Sequence, residues 1–200
     1  MFKHARKITA LGVTLAALMG LSAGTASAAS FGADVTPDTQ PSNASQAHPC
    51  DYAAPGTKCT WVLNDAYGNA GGEKAPQNGQ LKSIKLVAGE AGSFKLQLVK
   101  VRNDNSAKVL AQGPRITYEG QDPAMDPEDP YNVEKFKLDN PLPVQKGAQI
   151  AIVAKKTSTL RCSSGGDNTL LFDPPLALGN PFAAPTNDDG CWMLIEGEVR

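Results

Sequence analysis

Phe94-Lys95-Leu96-Gln97-Leu98 decides the fold class of this chain. Its large apolar side chains take one parity and its polar ones the other, the two-residue period of a strand with one face in a core and one in water. The same alternation recurs on either side. Ile84 and Leu86 alternate with Ser83 and Lys85, Phe136 and Leu138 with Lys135 and Lys137, and Ile150, Ile152 and Ala154 mark a further strand. Near the C-terminus Met193, Ile195 and Val199 face one way and Glu196 and Glu198 the other. Thr60 to Leu63, Val109 to Tyr118 with a break at Gly113-Pro114, and Thr169 to Phe172 bring the expectation to about eight strands. Nowhere does an amphipathic helical period persist for three turns. With 15 Pro and 19 Gly as punctuation, the pattern predicts an all-β fold, an antiparallel β-sandwich of jelly-roll type; a lone barrel has the same strand pattern.

The first 28 residues follow the order of an export signal. Lys3, Arg6 and Lys7 supply a basic start, Ile8 to Leu21 an apolar stretch, and Ala26-Ser27-Ala28 the small residues of a cleavage site. The apolar stretch is shorter than the roughly 20 residues a spanning helix needs, so no transmembrane anchor is expected. A lipid anchor is not expected either, because Thr25 stands where its cysteine would be. Cleavage before Ala29 removes 28 of the 200 residues and leaves 172, the size of one domain with its own core. Residues 29–49 are poor in large apolar side chains and predict a flexible leader, and 50–200 the β-sandwich domain. The signal carries three of the 19 Lys and Arg, leaving 16 basic against 20 acidic side chains. This mild acidic balance, with its bases scattered, gives no electrostatic case for nucleic acid or for an anionic membrane surface.

Cys50, Cys59, Cys162 and Cys191 form an even set in an exported chain, the pattern of a disulfide framework. Three pairings exist. Cys50 with Cys59 and Cys162 with Cys191 are preferred because each closes a modest loop within one end of the chain. A zinc site is disfavoured by the absence of CxxC and by a single mature histidine, His48.

Asn140-Pro141-Leu142-Pro143-Val144-Gln145-Lys146-Gly147, followed by Ile150-Ala151-Ile152, leads into a strand. Together with Cys59-Thr60, the Gly89 to Gly92 turn and the Gly190-Cys191 strand, it makes residues 50–200 resemble uncharacterised secreted β-sandwich proteins of actinobacteria. The resemblance implies the fold and brings no activity with it.

Candidate chemistry is sparse. No Ser-His or Cys-His constellation can be built from His48 alone, and Ser163-Ser164-Gly165-Gly166 lacks both GxSxG spacing and a P-loop lysine. No catalytic residue and no cofactor is therefore expected. Asp122, Asp126, Glu128 and Asp129 follow Glu119 in a proline-rich acidic loop that could hold Ca²⁺ or serve as paired carboxylates in a glycoside hydrolase; a solvated loop is the simpler reading. For a sugar ligand, Trp61, Tyr67 and Trp192 are the candidate stacking rings and Asn64 and Asp65 the hydrogen-bonding groups. Parity puts Trp192 on the face of Glu196 and Glu198, although covering the Cys162 to Cys191 bridge or a second sheet is the favoured role for it. The leading expectation is a secreted, non-catalytic extracellular binding or structural module, with extracellular polysaccharide as its candidate partner. The alternatives are a secreted hydrolase or Ca²⁺-dependent module using loop 119–129, and a self-associating cell-surface matrix protein.

Overall fold

The computed structural model describes residues 27–35, 45–47, 50, 57–66, 72–88, 91–120, 133–155 and 160–200; the side chains at 45–47, 160–168, 189, 191 and 192 lie outside the description. Among these residues there are strands and no helix: β1 (Ala29–Gly32), β2 (Ser45–Ala47), β3 (Lys58–Leu63), β4 (Gly79–Val87), β5 (Gly92–Val101), β6 (Ala107–Tyr118), β7 (Val133–Val144), β8 (Gln149–Lys155), β9 (Leu160–Phe172), β10 (Asn187–Met193) and β11 (Ile195–Val199). They form two antiparallel sheets. One has the order β1-β11-β4-β7 and the other β10-β9-β3-β8-β5-β6, with the short β2 paired to β9.

The alternation seen in the sequence is what brings the sheets together. Phe31, Leu81, Ile84, Leu86 and Ile195 from the first sheet share one buried cluster with Trp61, Phe94, Leu96, Leu98, Ile150 and Ile152 from the second. Packing is tight where the layers meet: a Cβ built on Gly197 would lie 2.8 Å from Leu81 Cδ1 and 3.1 Å from Phe31 Cε1. Only the missing side chain lets β11 approach.

The larger sheet is covered on its second face as well, which the alternation did not predict. Gln97, assigned to solvent by parity, is fully buried together with Thr60. Residues 173–186 cross this face as a strap. Its Leu176 packs on Val62, Val99, Val109, Ala151 and Phe172. Thr60 Oγ1 accepts from Leu176 N–H at 2.9 Å, Gln97 Nε2 donates to Leu176 O at 3.2 Å, and Ala183 and Ala107 exchange two backbone bonds of 2.9 Å. Asp173 N–H donates to Thr186 Oγ1 at 2.9 Å, tying the two ends of the strap together. The strap thus satisfies its buried backbone with the two polar side chains that look misplaced in their strands.

Three further expectations change. The flexible leader does not begin at residue 29: β1 pairs with β11 from Ala29↔Val199 to Gly32↔Glu196, and Phe31, Ala33 and Val35 are buried. A strand that can add to a waiting backbone edge needs few apolar side chains of its own, and here Phe31 suffices. The break at Gly113-Pro114 is a bulge inside a continuous β6, since Lys95 pairs with Arg115 and Gln97 with Gln112, leaving one residue more on β6 than on β5. The C-terminal segment is two strands, not one. It changes sheet at Leu194, so that β10 belongs to the larger sheet and β11 to the smaller. Parity does not carry across such a switch, so alternation alone does not put Trp192 on the face of Glu196.

Of the expected disulfides, Cys50–Cys59 is present, with a Cα–Cα distance of 5.5 Å. The backbone register sets Cys191 opposite Ser164 and Cys162 opposite Met193, one diagonal step apart on β10 and β9. The side chains of both lie outside the described residues.

Candidate functional site

A cleft of about 800 Å³ lies at the end of the larger sheet and is lined by Asn64, Lys74, Lys100 to Asn105 and Gln149. Four pieces of chain converge there. Asn64 follows the last residue of β3, and Lys74 bridges antiparallel to Gln149 at the start of β8. Lys100 and Val101 end β5, and the turn to β6 supplies the rest.

That turn is built by its own sequence. Arg102 N–H donates to Ser106 O at 2.9 Å and Asn105 N–H to Arg102 O at 3.0 Å. Asn105 takes φ of 61°, a left-handed conformation that asparagine tolerates better than most residues. The Asp104 carboxylate accepts from the Ser106 hydroxyl at 2.7 Å and from its N–H at 3.0 Å. The hydroxyl first, then the N–H, with a smaller contribution from the Arg102 charge, hold the Asp104 carboxyl below its usual value against a slight desolvation. Asp104 is therefore ionised and engaged, unsuited to general-acid work at neutral pH.

The cations have different surroundings. Lys74 Nζ pairs with Glu73 at 2.8 Å. Lys100 and Arg102 lie within ion-pair distance of no carboxylate among the described residues. Lys100 Nζ lies 3.1 Å from the point a Cβ would occupy on Gly147, whose φ of 79° turns the chain from β7 to β8. Arg102 sits 3.5 Å above the centre of the Phe182 ring, a cation–π seat that anchors the guanidinium to the strap. Gln149, in the lining, is fully buried; its Nε2 donates to Leu63 O at 3.0 Å, and its Oε1 has no hydrogen-bond partner among the described residues. An unmade bond of this kind costs roughly 1–3 kcal/mol.

The sequence candidates fall out differently. Asn64 lines the cleft. Asp65 is exposed and accepts from Ala66 N–H at 2.9 Å, a local turn contact. Trp61 is only 2% exposed, inside the core between the sheets, which corrects its assignment as a stacking surface. The reason is parity: Cys59, Trp61 and Leu63 of β3 all face the other sheet. Tyr67, Asp122, Asp126, Glu128 and Asp129 lie outside the described residues, as does the side chain of Trp192. Where the acidic loop begins, Glu134 accepts from Glu119 N–H at 3.0 Å and from Gly120 N–H at 2.9 Å. Among the described residues no three His, Cys, Asp or Glu side chains gather in a way that could hold a metal. Lys74, Lys100, Arg102, Asn103, Asn105 and Gln149 escaped the sequence reading, because polar residues in a hairpin turn look ordinary. The one legible signal was Gln149, an amide standing at the head of the apolar run Ile150-Ala151-Ile152.

A second polar recess lies on the outer face of the smaller sheet, lined by Ala28 to Ser30, Ser83, Lys85, Lys135, Glu196 and Glu198. Its charges are matched internally: Lys85 pairs with Glu196 at 3.3 Å, and Glu198 takes Arg200 at 2.6 Å, Ser83 Oγ at 3.0 Å and Lys135 at 3.9 Å. The Arg200 hydrogen bond foremost, then those of Ser83 and the nearby charges, outweigh desolvation and hold the Glu198 carboxyl below its ordinary 4.5. A lowered folded-state value stabilises the fold above pH 4.5, and the contribution fades as the pH falls through the folded value. Glu198→Gln should therefore lower the denaturation midpoint at neutral pH and lose less stability than the parent on acidification, read from urea curves at about pH 7 and pH 3.5. Parallel losses in the two proteins would refute this assignment.

Among the described residues no helix is long and apolar enough to cross a membrane. No family model, no curated protein and no solved structure matches this chain.

Proposed function

We propose that the chain is an exported, non-catalytic binding module of jelly-roll type, with the cleft at Asn64, Lys100 to Asn105 and Gln149 as its ligand site and a saccharide as its ligand. The observation that carries this reading is an open cleft lined by four amides, Asn64, Asn103, Asn105 and Gln149. Amides both donate and accept, as sugar hydroxyls do, so Asn64, Asn103, Asn105 and Gln149 suit a hydroxylated ligand.

Strand order supports the jelly-roll part. Without β2 and the β9 and β10 pair, eight strands remain, and numbered in chain order they run 1-8-3-6 in one sheet and 2-7-4-5 in the other. That is the order two interleaved Greek keys produce, with β9 and β10 as an insertion that widens one sheet. The export signal and the disulfide agree with an extracellular setting. Catalysis is left out because among the described residues the cleft offers one carboxylate, Asp104, where glycoside hydrolysis uses two. The matrix reading has less support, since two of the four edge strands, β6 and β7, carry Pro114, Pro141 and Pro143 and bulges that blunt strand addition.

Retention on a panel of insoluble polysaccharides tests the proposal. The parent should be retained by at least one member and an Asn64→Ala, Asn103→Ala variant released from it; a parent that flows through every member overturns the reading.

A further inference from the structure

Resting on that reading, we infer that the cleft selects an acidic saccharide, a unit in which a carboxylate or phosphate ester stands beside free ring hydroxyls. Charge and hydrogen bonding point to the two halves of this ligand separately. For the anionic half, Lys74, Lys100 and Arg102 line the cleft against, among the described residues, a single lining carboxylate, Asp104, which Ser106 already occupies. Lys100 and Arg102 have no carboxylate within ion-pair distance among the described residues, and Arg102 acts on Asp104 only weakly and from farther off. The chain as a whole carries a formal charge of −1, so the cleft is a basic spot on a mildly acidic molecule, a distribution that draws an anion to one place. Arg102, seated on Phe182 of the strap, is held in position before a ligand arrives, and its planar fork can meet two oxygens of one acidic group.

For the hydroxylated half, the lining residue Gln149 has a buried Oε1 with no donor among the described residues, which a ligand hydroxyl would reach only if the side chain turned toward the cleft. A carboxylate or phosphate has no proton to give that oxygen, whereas a hydroxyl has. Asn64, Asn103 and Asn105 extend the same capacity along the rim. Among the described residues no aromatic ring lines the cleft, so stacking, the usual means of holding a neutral sugar, is missing there.

Calorimetric titration of the full exported chain with four probes tests the inference: oligogalacturonate as carboxylate, poly(glycerol phosphate) as phosphate, dextran oligomers as neutral sugar, and short polyacrylate as charge without ring hydroxyls. Binding of one or both acidic hydroxylated probes, at least about tenfold tighter than the other two and weakening as salt rises, is the expected result. Which of the two binds identifies the acidic group. Lys100→Gln and Arg102→Gln should each cost about tenfold or more, the loss of a charge-assisted hydrogen bond, and Arg102→Lys should restore only part of it. Lys100 is exposed, so Lys100→Gln decides the matter if Arg102→Gln unseats the strap. Dextran binding that ignores both substitutions overturns the acidic inference and leaves the saccharide-binding reading standing. Equal affinity for polyacrylate overturns the hydroxyl half, and silence toward every probe together with no retention on any polysaccharide overturns both.

Discussion

Replacing Phe31 with alanine should lower the unfolding free energy by about 3–5 kcal/mol, the usual cost of emptying a phenylalanine site in a packed core. The ring is fully buried in the cluster shared by the two sheets, and its Cε1 comes within 3.1 Å of where Gly197 would carry a Cβ. It is also the one large apolar side chain of β1, so the strand has no other anchor between the sheets. Removing it leaves the β1 to β11 hydrogen bonds to hold the segment, and exposed edge bonds contribute modestly. Against the 5–15 kcal/mol typical of a domain, this loss would bring the protein close to its unfolding threshold at 25 °C. Gly32 next to it has φ of 102°, and a Cβ there would lie 2.5 Å from Ile195 O, so the chain leaves β1 through a turn that only glycine fits. A urea curve reads the effect. A change below about 1 kcal/mol would make residues 29–35 an ornament on a domain that begins later.

Why Phe31 was illegible while Leu98 was obvious follows from what periodicity can carry. Phe94, Leu96 and Leu98 repeat three times, and repetition is what separates a strand from chance. Phe31 stands alone among small and polar residues, and its burial depends on an edge of β11 that lies far along the chain. Gln97 misled for the opposite reason. Its parity holds, but the strap of residues 173–186, rich in Pro and Ala with Leu and Phe placed without a period, covers the face it points to. The cleft was hidden for both reasons at once. Its lining comes from four separated segments, each an unremarkable turn or strand end, and only the topology places Asn64, Lys74, Lys100 and Gln149 side by side. The sheets themselves, by contrast, could be read from alternation, and the Cys50–Cys59 pairing from its spacing.

Breaking that bridge with Cys50→Ala, Cys59→Ala is the second large effect expected. A loop of about ten residues contributes roughly 2.5–3 kcal/mol in the chain-entropy account. Both half-cystines are fully buried, Cys59 pairs with Ala154 of β8, and Cys50 Sγ lies 3.3 Å from the Ala154 carbonyl, so the cross-link fixes the chain against the start of β3. One term works the other way. Cys50 is held at φ of 71°, a left-handed conformation that costs a non-glycine residue on the order of 1 kcal/mol and that can relax once the bond is gone. A net loss of about 2 kcal/mol is the expected reading at neutral pH. It should be local in its first consequences: Thr60 to Leu63 remain in the sheet through β8 and β9 on either side, so far-UV circular dichroism should keep its β signal while hydrogen exchange accelerates first near Thr57 to Cys59. Complete loss of the β signal in the variant at 25 °C would show that the bridge holds the fold and does more than staple its beginning. Reduction of the parent supplies the comparison that isolates Cys162 and Cys191. If they form a second bridge between β9 and β10, reductant should lower the midpoint further than the double substitution does, and alkylation of the unreduced, denatured parent should label no thiol.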